Sequence, residues 1–219
     1  MAREHEIDDV VEAARAGREV SASDFDDPEW ARARVTHITR YWSGEEAPAA
    51  RRAEARVLWD ARGLVVRFDC PQAEPLVVST APRLDVKTIG LWERDVCELF
   101  ITPDAGRIER YFEFEVAPTG EWLDLALTVA PDGRDTNWEF PSGMTAAART
   151  GEGSVTLAAR VPWGAFPRAP RAGERWRCNL FRCVGREPDR GYLAWRPTHT
   201  PEPSFHVPEK FGWMGFKDE

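Results

Sequence analysis

Leu91-Trp-Glu-Arg-Asp-Val-Cys-Glu-Leu-Phe-Ile101 carries the strand signal from which the rest of the chain can be read. Side chains alternate across a strand. Val96, Glu98 and Phe100 therefore share one face, and Cys97, Leu99 and Ile101 share the other. Glu98 sits among apolar neighbours, six residues after an indole, Trp92. An aromatic surface beside a placed carboxylate is what a polyol-binding site needs. The same residues also suit a core Trp at a strand entrance and a Glu paired with an Arg.

Similar alternation extends in both directions. Ala55, Val57 and Trp59 alternate with charged positions, Asp60-Ala-Arg-Gly63 turns the chain, and Leu64, Val66 and Phe68 resume the pattern, which is a hairpin. On the other side Arg110, Phe112, Phe114 and Val116 oppose Tyr111, Glu113 and Glu115, and Leu123, Leu125 and Leu127 form the next stripe. Further runs fall near 35–42, 143–149, 154–161, 176–184 and 192–195, with polar loops at 130–142 and 185–191 and a Pro-rich loop at 196–209. Pro162-Trp-Gly-Ala-Phe166 reads as one helical turn with Pro at its first position. Asp26-Asp-Pro-Glu-Trp30 reads as a turn or helix start, and residues 10–14 as a short helix or strand. Short strands at this spacing predict an all-β, antiparallel two-sheet sandwich. It would be a single domain over 1–219, with an N-terminal arm of about 1–25.

Composition narrows the function. A net charge of −8 opposes nucleic-acid binding, which needs clustered positive charge. Ten tryptophans are more than a core of this size requires, which points to a stacking surface. Four cysteines, Cys70, Cys97, Cys178 and Cys183, include no CxxC pair and no zinc spacing. Cys178 and Cys183 fall on opposite faces of one strand and should not pair. Free thiols, no apolar leader after Met1 and no run of membrane length give the expectation of a cytoplasmic protein without a membrane partner. Oligomeric state is not legible.

Six segments in order carry a resemblance. They are Val57-Leu-Trp-Asp60 with Leu64-Val-Val-Arg-Phe-Asp69; the 91–100 stretch; Arg110-Tyr-Phe-Glu-Phe-Glu-Val116; Val161-Pro-Trp163; Arg175-Trp-Arg-Cys-Asn-Leu-Phe-Arg182; and Ala194-Trp195 followed by Ser204-Phe-His-Val-Pro-Glu-Lys-Phe-Gly212. Over about 25–217 the chain resembles family 9 carbohydrate-binding modules. That resemblance implies an immunoglobulin-like or jelly-roll sandwich holding a mono- or oligosaccharide between two tryptophans, with a Glu and arginines bonding the hydroxyls. By position, Trp92 and Trp195 match the clamp, Glu98 the acid, and Arg182 and Arg110 the arginines. The family's side-chain amides near the second Trp have no match in Gly191-Tyr-Leu-Ala-Trp195. Members also bind calcium structurally. Here Asp26, Asp27 and Asp60 are the available acids, and no dense spacing marks a loop; a haem held by Met144 or Met214 with His206, as in some relatives of the fold, has no support from spacing.

The leading expectation is a non-catalytic sugar binder, with His206 in the Pro-flanked stretch 203–208 fixing its loop or touching sugar. Two rivals stand beside it. One is a structural or partner-binding sandwich without a sugar site. The other is a glycoside-active enzyme using carboxylates of 98–124, since Glu113 and Glu115 share a face and Asp124 can join them. Alternating acids on a strand are more often a solvated face.

Overall fold

The computed structural model describes residues 10–131 and 133–218. Residues 1–9 of the expected N-terminal arm, with His5, lie outside the described residues. The fold is all-β. Its strands are β1 (Val10–Arg15), β2 (Thr36–Ile38), β3 (Arg40–Tyr41), β4 (Ala53–Trp59) and β5 (Gly63–Pro71). They continue with β6 (Val96–Thr102), β7 (Arg110–Val116), β8 (Trp122–Ala130), β9 (Gly133–Asn137) and β10 (Thr145–Gly151). The last are β11 (Ser154–Pro162), β12 (Arg175–Val184), β13 (Gly191–Ala194) and β14 (Gly212–Phe216).

These strands join in one curled sheet, in the order β10-β11-β5-β4-β1-β14-β12-β6-β7-β8-β9, with β13 branching from β12. The curl brings β11 over β7. The main core lies between, where Val57, Val66, Leu157, Leu99, Phe114, Trp176 and Leu180 pack together.

A strictly antiparallel pairing in two sheets is corrected by β1. It runs parallel to both neighbours, with Ala13 opposite Phe216 on β14 and Val57 on β4. The strand is central because it is small and apolar on both sides. Val11 and Ala13 enter the main core, while Ala14 packs under Trp30 and Leu58. Beside it, Asp27 accepts a hydrogen bond from the Glu29 N–H and starts the 3₁₀ turn Pro28–Arg32, with Pro in its first turn.

The half of the sheet built from β6, β7, β8 and β12 is apolar on both faces. Its second face carries Phe100, Tyr111, Leu123, Leu125, Phe181 and Cys183. A cover packs over most of this face: the 3₁₀ turn Leu91–Glu93 contributes Leu91, and the segment leading from the Pro-rich loop into β14 contributes Phe205 and Phe211. Phe205 stacks on Phe181 at 4.0 Å between ring centroids. Acids on these strands therefore point into a covered layer instead of water.

Candidate functional site

Register assembles the site. Glu98 on β6 stands directly opposite Glu115 on β7, and Phe100 opposite Glu113, so all three carboxylates share the second face. One oxygen from each lies within 4.8 Å of the others. All three are buried. The expectation of a solvated face for Glu113 and Glu115 is thereby corrected: the cover turns that face into an interior. Asp124 does not join them. It pairs across from Phe114, on the main-core side, and bonds Lys87 at 2.5 Å.

The trio lacks partners. Among the described residues, both oxygens of Glu115 and Oε2 of Glu113 have no partner beyond the bond the two carboxyls share with each other. Glu98 Oε1 has only the Cys183 thiol, 3.6 Å away. Burial pushes each carboxyl up from its ordinary range, and their mutual repulsion adds to this at Glu98 and Glu115. His206 Nδ1 is 4.0 Å from Glu113 Oε2 and hydrogen-bonds the Tyr111 hydroxyl at 2.8 Å. Burial, with Arg134 adding repulsion, pulls the imidazole down to about 3, so it is neutral.

Above this floor opens a cavity of about 240 Å³, walled by Trp92, Glu98, Glu113, Arg134, Trp138, Tyr192 and the segment 203–206. Trp92 and Trp138 are 37% and 42% exposed, among the few large hydrophobic residues left open to solvent. Their ring centroids are 6.1 Å apart, tilted by 42°. The Arg190 guanidinium fixes the Trp92 turn by donating to the carbonyls of Trp92, Glu93 and Arg94 at 2.6–2.8 Å. Trp138 follows β9, whose Thr136 faces Leu127. Two residues on, the indole returns to the same face.

Of the residues expected from sequence, Trp92, Glu98 and His206 meet at this cavity. Trp195 does not; it is 4% exposed in the main core. Its ring lies so close to Gly212 that a Cβ there would fall within 2.4 Å of it, which is why that position is Gly. The expected Trp92–Trp195 clamp is therefore not formed. Arg182 pairs with Cys97 and so points away from Glu98. Its guanidinium donates to the carbonyls of Arg51, Arg52 and Pro71 and to Gln72, strapping the chain together. Arg110 is exposed at the start of β7, outside the cavity wall.

Trp138, Tyr192 and Arg134 were not anticipated. The interval 130–142 reads as a polar loop, yet it contains β9. The signal was there in Asn137-Trp-Glu139, an indole with no apolar neighbour to pack on. The acids considered for calcium are engaged separately. Asp26 pairs with Arg149, Asp27 with Arg18, and Asp60 with Arg160, so they form no common ligand set. All four cysteines are free and buried. Among the described residues no helix is long and apolar enough to cross a membrane.

The sequence matches the family described as carbohydrate family 9 binding domain-like over residues 23–219. The chain belongs to that family. Solved structures share the fold at low identity. A Bacteroides uniformis ATCC 8492 protein is similar with a TM-score of 0.74 and 17% identity, over 95% of this chain and 99% of that one. A family 9 carbohydrate-binding module from Caldicellulosiruptor kristjanssonii in complex with cellotriose gives 0.64 and 14%, over 96% and 94%. The glucose complex of a family 9 module from the same organism gives 0.67 and 13%, over 96% of each chain. No curated protein matches the sequence significantly.

Proposed function

We propose that the chain is a non-catalytic carbohydrate-binding domain whose sugar docks under Trp92 and Trp138. The observation that carries this is the pair of exposed indoles at the mouth of a cavity floored by carboxylates with open acceptor positions. Membership of the family, and its relatives solved with cellotriose and glucose, support the ligand class. A sugar offers apolar C–H faces to the indoles and donating hydroxyls to Glu98, Glu113 and their neighbour His206.

The cavity is smaller than the roughly 300–1,000 Å³ of drug-sized sites, which suits one ring with any further units outside. A slot for a ring between two indoles needs roughly 7–8 Å, twice the carbon contact distance. The tilted pair therefore acts as one wall of the site. Stacking worth about 1 kcal/mol per indole and hydrogen bonds to ionised groups worth about 1.5–3 kcal/mol each oppose an association cost of at least ~4 kcal/mol. The balance is roughly millimolar to micromolar affinity.

Hydrolysis would need two carboxyl groups flanking the scissile bond. Glu98 and Glu113 stand on adjacent strands on one floor, which favours binding over turnover. Glucose, cellotriose and a broader glycan panel, titrated against tryptophan emission, test the reading. Sugar binding should be saturable, weakened in Trp92→Ala and Trp138→Ala, and unaccompanied by turnover of aryl-glycosides. A silent panel would favour a partner-binding sandwich instead.

A further inference from the structure

The floor of the cavity holds more buried carboxylate than a neutral sugar requires. Glu98, Glu113 and Glu115 crowd within 4.8 Å, and among the described residues the nearest basic group is the neutral His206 imidazole, 4.0 Å from Glu113. Glu115 is fully buried behind the two acids that reach the cavity, and among the described residues its carboxyl has no partner outside the trio, sharing a hydrogen bond only with Glu113. The neighbouring cations temper this charge from a distance, Arg134 at Glu113 and Arg190 at Glu98, and neither forms an ion pair with it among the described residues. Arg134 lines the cavity from β9 without an ion pair to the trio among the described residues. His206, on the covering segment, is neutral and bonded to Tyr111. Arg190 is spent on backbone carbonyls at 185 and 92–94. The remaining titratable groups facing the trio, Tyr111 on β7, Cys183 on β12 and Tyr192 on β13, carry no positive charge.

We propose that this site selects a sugar bearing a free ammonium group, an unacetylated amino sugar, over its neutral counterpart. This rests on the carbohydrate-binding reading above. The ammonium lodges against Glu98 and Glu113 with Glu115 behind them. Its N–H donors meet the unbonded Glu113 Oε2 and the Glu98 carboxyl at the cavity floor. The indoles of Trp92 and Trp138 and the Tyr192 ring supply both stacking surface and the negative ring faces that attract a cation.

A divalent metal ion fits less well. Calcium takes six to eight oxygen ligands, which the three carboxyls reach only if each binds through both oxygens, and their neighbours on this face, Phe100, Leu123, Leu125 and Phe181, add none. An ammonium ion needs no such shell. Its positive charge opposes the burial that raises these carboxyls, so binding is linked to proton release.

Isothermal titration at pH 6.5, where a sugar amine is protonated, decides the matter. D-glucosamine, D-glucose, N-acetyl-D-glucosamine and calcium chloride are each titrated into the full chain. D-glucosamine should bind at least about tenfold more tightly than either neutral sugar, and Glu113→Gln should bring that ratio close to one. Glucose binding as tightly as glucosamine would overturn charge selection while leaving sugar binding intact. No response to any of the three sugars or to a neutral glycan panel would overturn both readings. Calcium that binds alone and blocks glucosamine would overturn the ammonium assignment in favour of a metal. If Glu113→Gln does not fold, the wild-type ratio decides alone.

Discussion

Two groups of buried carboxylates lie in this molecule, and they are treated in opposite ways. Asp60, at the end of β4, receives both terminal nitrogens of Arg160 at 2.9 Å and the backbone N–H groups of Arg62 and Gly63 at 2.7 and 3.1 Å. Burial alone would push its carboxyl up, but these bonds more than offset that and hold it below its ordinary value. Glu98, Glu113 and Glu115 are at least as buried and have almost none of this support. A buried charge with every acceptor filled holds the fold together. A buried carboxyl with acceptors left open costs stability, and on the proposed reading a ligand beneath the exposed indoles fills them.

The largest expected effects test the filled side of that contrast. Asp60→Ala takes the two-pronged partner from the buried Arg160 guanidinium, leaving it Glu19 at 3.4 Å and the Val20 carbonyl, and should cost about 3–5 kcal/mol in urea denaturation. Trp195→Ala empties a packed core position and should cost a similar ~3–5 kcal/mol. A loss below about 1 kcal/mol in either would mean that these groups are not the structural elements the packing makes them.

Glu115→Gln should act with the opposite sign. The trio's folded-state pKa values lie above those of an unfolded chain, so the folded state binds more protons through that window. The stability this contributes is present at the acidic end and lost as pH rises through the raised values. Removing the Glu115 charge should therefore stabilise the protein at pH 8 by roughly 1–3 kcal/mol, the cost of an unsatisfied buried polar group. The gain should shrink toward pH 5. Thermal melts at the two pH values check it, and a loss of stability at pH 8 would show that the carboxylate has a partner. Asp60 carries the reverse dependence: its contribution is present above the unfolded value and lost as acid titrates it through its lowered one.

The smallest expected change in stability is at Trp138. Removing an exposed indole should alter stability by less than about 0.5 kcal/mol while removing about 1 kcal/mol of sugar affinity. Equal losses in both would place the indole in the structural class with Trp195.

Much of this was legible in the sequence, for reasons particular residues make plain. Alternation in 55–68 and 110–127 marks the hairpins, because each strand there has distinct faces. The parallel place of β1 was not legible: Val10-Val-Glu-Ala-Ala-Arg15 has no local feature naming partners at 57–59 and 213–216. Glu98 and Trp92 were found because one strand and its entrance carry them. Trp195 was misplaced because an indole's exposure depends on what packs over it, here Gly212 across the sheet. The acid trio required the register of β6 against β7, together with a cover drawn from residues 203–211, and neither is written in the spacing of the acids alone.

The central claim, that ligand meets Trp92 and Trp138 over the open acids and not Trp195, is tested most directly by the indole N–H resonances of the ten tryptophans. With single Trp→Phe variants assigning the signals, titration with glucosamine or cellotriose should shift Trp92 and Trp138 and leave Trp195 and Trp176 unmoved. Shifts centred on Trp195, or none at Trp92 and Trp138 under a sugar that binds, would contradict the account.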